Sequence, residues 1–519
     1  MPSATACPVL PPPILETLDR LRALSQKDVR ATWHLSLKPS ETPPALANRW
    51  QTWPLAALDD RGYIPWPKGN VPLWLHQRFT WPTDLNGYPL EGLTARLALR
   101  WWANQADIFV NGQLVQSGDI FDCWTRIVLS DRVVPGEWVD VSLKMLSPGH
   151  DDGALVQAQL VFEMVEGNCP EPGFVADELA VLATYLAQFD PEKLDDVTGA
   201  LSSIDWNLIG DSVTKLGAEA DLEGQEKRNE FHQSLLVLRT SLAHFSSWLK
   251  QRTVHCLGHA HLDLAWLWPV SDTWAAAEST FRSVLALQND FPELTFSHSS
   301  PALFAWLEEH CPDLFVTIQQ QVKAGRWAID AGLWVEPDLN LPGGEAIARQ
   351  ILYGQRYCAE KFGGTSAIAW LPDTFGFCWQ LPQLLTQGGI RYFATQKLRW
   401  NDTNPFPYDL FTWQGPDGSE ITGVTLPPIG TDIDPVAMAQ YASQWEASTG
   451  YADSLWLPGV GDHGGGPTRD MLLKARRWAD SPFFPTLNFG HAAPLFDALT
   501  LPPYGRTAVR PNSPSPPYG

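Results

Sequence analysis

No Cys-x-x-Cys pair occurs in this chain, and its seven cysteines (Cys7, Cys123, Cys169, Cys256, Cys311, Cys358 and Cys378) are odd in number. That spread argues against a disulfide framework and for free thiols in a reducing compartment. Basic residues are scarce: 36 Lys and Arg stand against 58 Asp and Glu, giving a net charge of −22. A non-specific nucleic-acid binder or a sensor of anionic membranes needs the opposite balance, so both classes are disfavoured. The chain also lacks any uncharged apolar run of the roughly 18–20 residues needed to span a bilayer. Its first residues, MPSATACPVLPPP, carry neither the basic stretch nor the apolar stretch of a secretory signal. A cytoplasmic protein is therefore expected. No internal repeat is visible.

What is present is enough for two to four domains with full cores, since the chain has 519 residues of which 44% are hydrophobic and only 18% charged. Tryptophan is the abundant residue, with 25 copies. Indole stacks well on flat apolar faces, including those of sugars, although core filling accounts for most such residues in any protein.

The sequence predicts a multidomain α and β chain. Residues 1–48 form a Pro-rich start with a short amphipathic helix near Ile14 to Leu24. Residues 49–170 read as an antiparallel β-sandwich: TARLALRWW and VDVSLKML alternate at period two, and Asn111-Gly112 lies between two such runs, a strong hairpin signal. Residues 171–250 have helical spacing and read as a connector that packs between domains, with Asp190-Pro191-Glu192 as an acidic cap. Residues 251–500 alternate short apolar strands (TVHCLGHAHLDLAW, RWAIDAGLWVEP, AIAWLPD, RYFATQ) with helices such as the one opening after Gly343-Gly344, which predicts a β/α barrel-like domain. Residues 501–519 are Pro-rich and aperiodic and read as a disordered tail.

Three stretches in the β/α region carry candidate chemistry. In an extended GHAHLDLAW, His259, His261 and Asp263 share one face, and two imidazoles with a carboxylate at a strand end can ligate zinc. Buried histidines that only hydrogen-bond backbone would look the same. In WLPDTFGF, Asp373 follows an apolar strand, where a carboxylate can serve as nucleophile or ligand, or simply close an Asx turn. In GLWVEPDLNLPGGE, period-two alternation would put Trp334, Glu336, Asp338 and Asn340 along one wall of a pocket.

Five motifs occur in order: HAHLDLAWLWP, GLWVEPDLNLPGGEAIARQILYG, WLPDTFGFCWQLPQLL, KLRWNDTNPFPYDLFTWQGPDGSEI and GVGDHGGGPTRDML. Together, over about residues 253 to 475, they resemble the catalytic region of glycoside hydrolase family 38 α-mannosidases, in the cytosolic, vacuolar and bacterial branch. The resemblance implies a retaining, zinc-dependent hydrolysis of terminal α-mannosidic bonds in oligosaccharides. His261, Asp263 and Asp373 would be zinc ligands, Asp373 also the nucleophile, and Trp266 the platform under the sugar. Trp334, Glu336 and Asp338 would line the substrate. The general acid is expected in TLPPIGTDIDP, as Asp432 or Asp434, with Asp402 and Asp409 as rivals. The family's fourth ligand, a His followed by Asp beyond this region, has no counterpart, and His463 is the substitute. The loss of pattern after LNFGHAAPLFDAL suggests a truncated or frameshifted chain of impaired activity, partnered by a separately encoded C-terminal half. An inactive carbohydrate-binding remnant is the alternative.

Overall fold

The computed structural model describes residues 10–38, 43, 49–119, 123–164, 170–209, 218–266, 268–401, 403–404, 406–461, 465–499 and 508–509. The chain divides into two compact units, Val9–Ser246 and the residues from Ser247 onward. No described helix is long and apolar enough to cross a membrane.

The first unit holds two five-stranded antiparallel sheets. One is centred on Thr94–Trp102 and Gly153–Glu163, the other on Pro72–Thr80 and Trp138–Leu146. Alternation along the strand Thr94–Trp102 explains its pose: Leu97, Leu99 and Trp101 are buried, whereas Arg100 and Trp102 face outward. Asn111 (φ 50°) and Gly112 (φ 80°) turn the chain from Gln105–Val110 into Gln113–Gly118. Left-handed backbone at both central residues is what a tight hairpin requires, and Asn-Gly adopts it at least cost.

Two helices of the 171–250 region pack inside this first unit. Pro172–Phe189 packs on Pro12–Ala23, with Arg22 and Asp177 paired at 2.9 Å. On the long helix Ala218–Leu242, the buried His232 bonds the Tyr88 hydroxyl of the short strand Tyr88–Pro89 at 2.8 Å. Asp190 ends one helix, and its side chain makes no cap hydrogen bond to the 3-10 turn Pro191–Lys193 that follows.

In the second unit, short strands alternate with helices. Thr253–Cys256 runs parallel to Asp453–Trp456 and Thr486–Phe489. Gly258–His259, Phe296–His298 and Trp327–Ile329 form a second parallel set. Ile368–Trp370, Tyr392–Thr395 and Glu420–Thr425 form a third, extended by the antiparallel Leu410–Gln414. The helices Val270–Asp290 and Pro301–His310 bury Phe281 and Phe304 against Phe296 and Trp327. On the helix Gly344–Phe362, Ile347 and Ile351 pack with Leu333, Leu371 and Leu385.

One expectation needs correction. Residues 332–342 form no strand, so the alternation drawn over Trp334, Glu336, Asp338 and Asn340 has no backbone to support it. A Pro at 337 and a turn closed by Asp338, which accepts from the backbone N–H groups of Asn340 and Leu341 at 2.8 and 2.9 Å, break the period. In the tail, Ala508 and Val509 pair parallel with Thr412 and Trp413. Other residues of 501–519 lie outside the described set.

Candidate active site and metal centre

Every residue of the site follows the C-terminal end of a parallel strand, where loops of such sheets carry ligands. His261 and Asp263 come just after Gly258–His259, and Asp373 comes after Ile368–Trp370. Their ligand atoms all lie within 4.8 Å of one another. His261 Nε2 stands 3.4 Å from Asp263 Oδ1 and 3.6 Å from Asp373 Oδ2. That nitrogen is buried and has no hydrogen-bond partner. Zinc held by nitrogen and carboxylate at about 2.0–2.2 Å in tetrahedral geometry would separate its ligands by about 3.3–3.6 Å. The unpartnered Nε2 and the spacing around it therefore fit a divalent cation of zinc's type.

Charge tells the same story. Burial disfavours the imidazolium of His261, but the carboxylates of Asp263, Asp373 and Glu336 outweigh it and hold the group well above the ordinary histidine range. A pocket that attracts a proton this strongly is a pocket with surplus negative charge, which a divalent cation also satisfies. Burial pushes Asp373 up, yet His261 and Lys397 prevail and keep it below the usual carboxylate range. His259, on the strand that precedes His261 and Asp263, is different: burial and the neighbouring His261 push it down to about 3, and its Nδ1 lies 3.4 Å from the Ser297 carbonyl.

The loop that carries these ligands is tied down from behind. The Asp263 carbonyl accepts from Trp268 Nε1 at 3.0 Å and from the hydroxyl of the buried Thr273 at 2.9 Å. Ala265 is left-handed, with φ 60°, and the next residue, Trp266, is 59% exposed. That exposure suits a stacking platform.

Glu336 stands beside the ligands with its side chain 15% exposed, and its carboxylate is engaged by backbone. Its Oε1 accepts from the backbone N–H groups of Asp373 and Thr374, the latter at 2.7 Å, and its Oε2 lies 3.7 Å from His261 Nδ1. Burial raises its pKa above the usual range despite the attraction of His261. Trp334 packs edge-on against Tyr357 at 5.6 Å, and Asp338 is exposed in its turn.

The three described acid candidates each have another occupation. Asp434 caps the helix Pro435–Thr449 by accepting from Val436 and Ala437 N–H, both at 3.0 Å. Asp432 is paired with Lys474 and accepts from Ile433 N–H at 2.7 Å. Asp409 holds Arg399 at 2.7 Å and Ser448 at 2.5 Å. Asp402 and His463 lie outside the described residues.

One site residue was missed in the sequence. Lys397, in the turn after the strand Tyr392–Thr395, has a side chain only 5% exposed and pairs with Asp373 Oδ1. A lysine directly after an apolar strand, in YFATQK, was the available signal.

The site is a carboxylate-rich cluster at the ends of parallel strands that could hold a metal ion, and sequence comparison gives the family. Residues 251–507 match the profile of the glycosyl hydrolases family 38 N-terminal domain, and this region of the chain belongs to that family. Human alpha-mannosidase 2C1 is 39% identical over 253 residues, covering 48% of this chain and 24% of that protein. The Saccharomyces cerevisiae alpha-mannosidase is 41% identical over 228 residues, covering 43% and 21%. Mouse alpha-mannosidase 2C1 is 35% identical over 439 residues, covering 74% and 42%. The chain thus spans less than half the length of these relatives. Among solved structures, an alpha-mannosidase from Enterococcus faecalis V583 aligns with a TM-score of 0.43 at 21% identity, covering 50% of this chain and 30% of that one.

Proposed function

We propose that the unit from Ser247 onward hydrolyses terminal α-mannosidic bonds in oligosaccharides with retention of configuration, on a β/α barrel-like scaffold. The observation that carries this reading is the convergence of His261, Asp263 and Asp373 at strand ends with an unpartnered buried Nε2 between the carboxylates. His261, Asp263 and Asp373 would hold zinc, which when bound supplies Lewis-acid charge to sugar hydroxyls.

The chain's own residues do the rest. Trp266 offers an indole face on which the sugar's apolar face stacks. Asp373 attacks the anomeric carbon as its bond to the leaving oxygen breaks, and a carboxylic acid gives that oxygen a proton. Water then cleaves the glycosyl ester, and Asp373 is regenerated. Glu336 fixes the backbone at Asp373 and Thr374, so the nucleophile enters at a set angle.

The test is release of mannose from an aryl α-mannoside by the zinc-loaded chain, with the product anomer followed by NMR. Initial appearance of the α-anomer supports the proposal, and no release overturns it. Asp432→Asn and Asp434→Asn, compared on good and poor leaving groups, identify the proton donor as the variant that loses only the poor ones.

A further inference from the structure

The surroundings of Lys397 are unusual for a lysine. Its ammonium lies 3.3 Å from the ring centroid of Trp400 and 4.2 Å from that of Phe375. The two rings meet edge-to-face at 5.9 Å, yet Trp400 is 63% and Phe375 56% exposed. These large aromatics are left at the surface rather than packed in the core, and the group they cover is one cation. That cation meets Asp373 Oδ1, while Asp373 Oδ2 faces His261 Nε2 at 3.6 Å. The two oxygens of one carboxylate are thus divided between a lysine and the ligand cluster, and the peptide N–H of Asp373 is held by Glu336.

We propose that Lys397, under its Phe375 and Trp400 cover, is the positioning residue of Asp373, fixing the carboxylate plane so that one oxygen alone is presented to the His261 and Asp263 side. This rests on the functional reading above and deepens it. Without the lysine, the carboxylate is free to rotate and to offer both oxygens to a cation. A misoriented nucleophile costs rate rather than substrate affinity.

The experiment is a zinc titration by calorimetry of the 519-residue chain, its Lys397→Met and Asp373→Asn variants and the double variant, together with turnover of an aryl α-mannoside by wild type, Lys397→Met and Lys397→Arg. Lys397→Met is expected to bind zinc about tenfold tighter, because a positive charge beside a ligand carboxylate is gone. In the Asp373→Asn background that gain should shrink to about twofold or less. Turnover should show kcat down about 10²-fold with KM within about threefold, and Lys397→Arg should recover most of the loss.

An equal zinc gain with and without Asp373 overturns the inference, as does a raised KM at unchanged kcat. The zinc cycle decides the matter even if turnover is too slow to measure. A zinc-loaded wild-type chain that releases no mannose overturns the functional reading, and one that binds no zinc overturns this inference with it. A wild type with both, matched in full by Lys397→Met, overturns this inference alone.

Discussion

Asp373 is gripped from three sides: its amide by Glu336, one oxygen by Lys397, and the other oxygen turned toward His261. Asp373→Asn keeps the shape but removes the charge and the nucleophile, so activity should fall by about 10³-fold or more while the fold is retained. Steady-state rates beside a thermal melt check this, and wild-type turnover would remove Asp373 from the mechanism. His261, Asp263 and Asp373 were legible as candidates because each follows an apolar strand, but position alone grouped His259 with them and left an Asx turn open for Asp373; the family resemblance singled out the three that the fold brings together. Glu336 was legible as a candidate, and Lys397 offered only its position after the strand in YFATQK, with nothing to say what it meets. Their functions depend on which distant loop each meets, and neither periodicity nor spacing carries that information. Asp432 and Asp434 were chosen by segment, and the partners they found, Lys474 and a helix N-terminus, are set by tertiary neighbours.

The helix Gly344–Phe362 reaches the site loop through a glycine. A Cβ on Gly354 would lie 2.5 Å from the Leu333 carbonyl carbon and 2.8 Å from Trp334 N, so helix and loop touch backbone to backbone. Gly354→Ala should destabilise the unit by about 1–3 kcal/mol through overpacking and displace the loop that brings Glu336 to Asp373. Denaturant melts with zinc titration test both parts; an unchanged stability would mean that the loop yields freely. A second element-level device is His232 on the helix Ala218–Leu242, which burial pushes from 6.5 down to about 4. Between those values the unfolded chain binds the proton and the folded one does not, so stability is complete above about pH 6.5 and drains away as pH falls toward 4. At pH 5 the loss from this residue is about 2 kcal/mol. His232→Gln should flatten the stability profile of the first unit between pH 7 and 5, as read by chemical denaturation; an unaltered slope would assign the acid sensitivity elsewhere. Elements like these were readable where local chemistry decides, as at Asn111-Gly112, in the alternation of Thr94–Trp102 and at the start of Gly344–Phe362. The segment 332–342 was misread because a Pro and an Asx turn defeat a period-two pattern that the residue types alone suggest.

Across the whole chain, 58 acidic against 36 basic residues leave a repulsive excess that no single ion pair offsets. Screening should help: the Debye length falls to about 10 Å at 0.1 M salt. The thermal midpoint is expected to rise by about 2–4 °C between about 10 and 150 mM sodium chloride. A midpoint that falls with salt would show that specific ion pairs outweigh the net repulsion. Ten of the 25 tryptophans are buried, and Trp33, Trp74, Trp101, Trp327 and Trp370 are among the largest fully buried side chains. The exposed minority in the second unit, Trp266, Trp379 and Trp400, includes the two placed at the site.

Ala265 inverts the usual relation between exposure and substitution. It lies on the surface, where most residues are interchangeable, yet its φ of 60° admits few of them. The left-handed backbone costs a residue with a Cβ about 1–2 kcal/mol, and more for a β-branched one. In a library carrying every residue at this position and sorted for survival of heating, Gly, Asn and Asp should be enriched over Ala, and Val, Ile and Thr should vanish. Position 265 would then behave, in mutational tolerance, like a core position, and the aim of Trp266 would drift in the survivors with the loosest backbone.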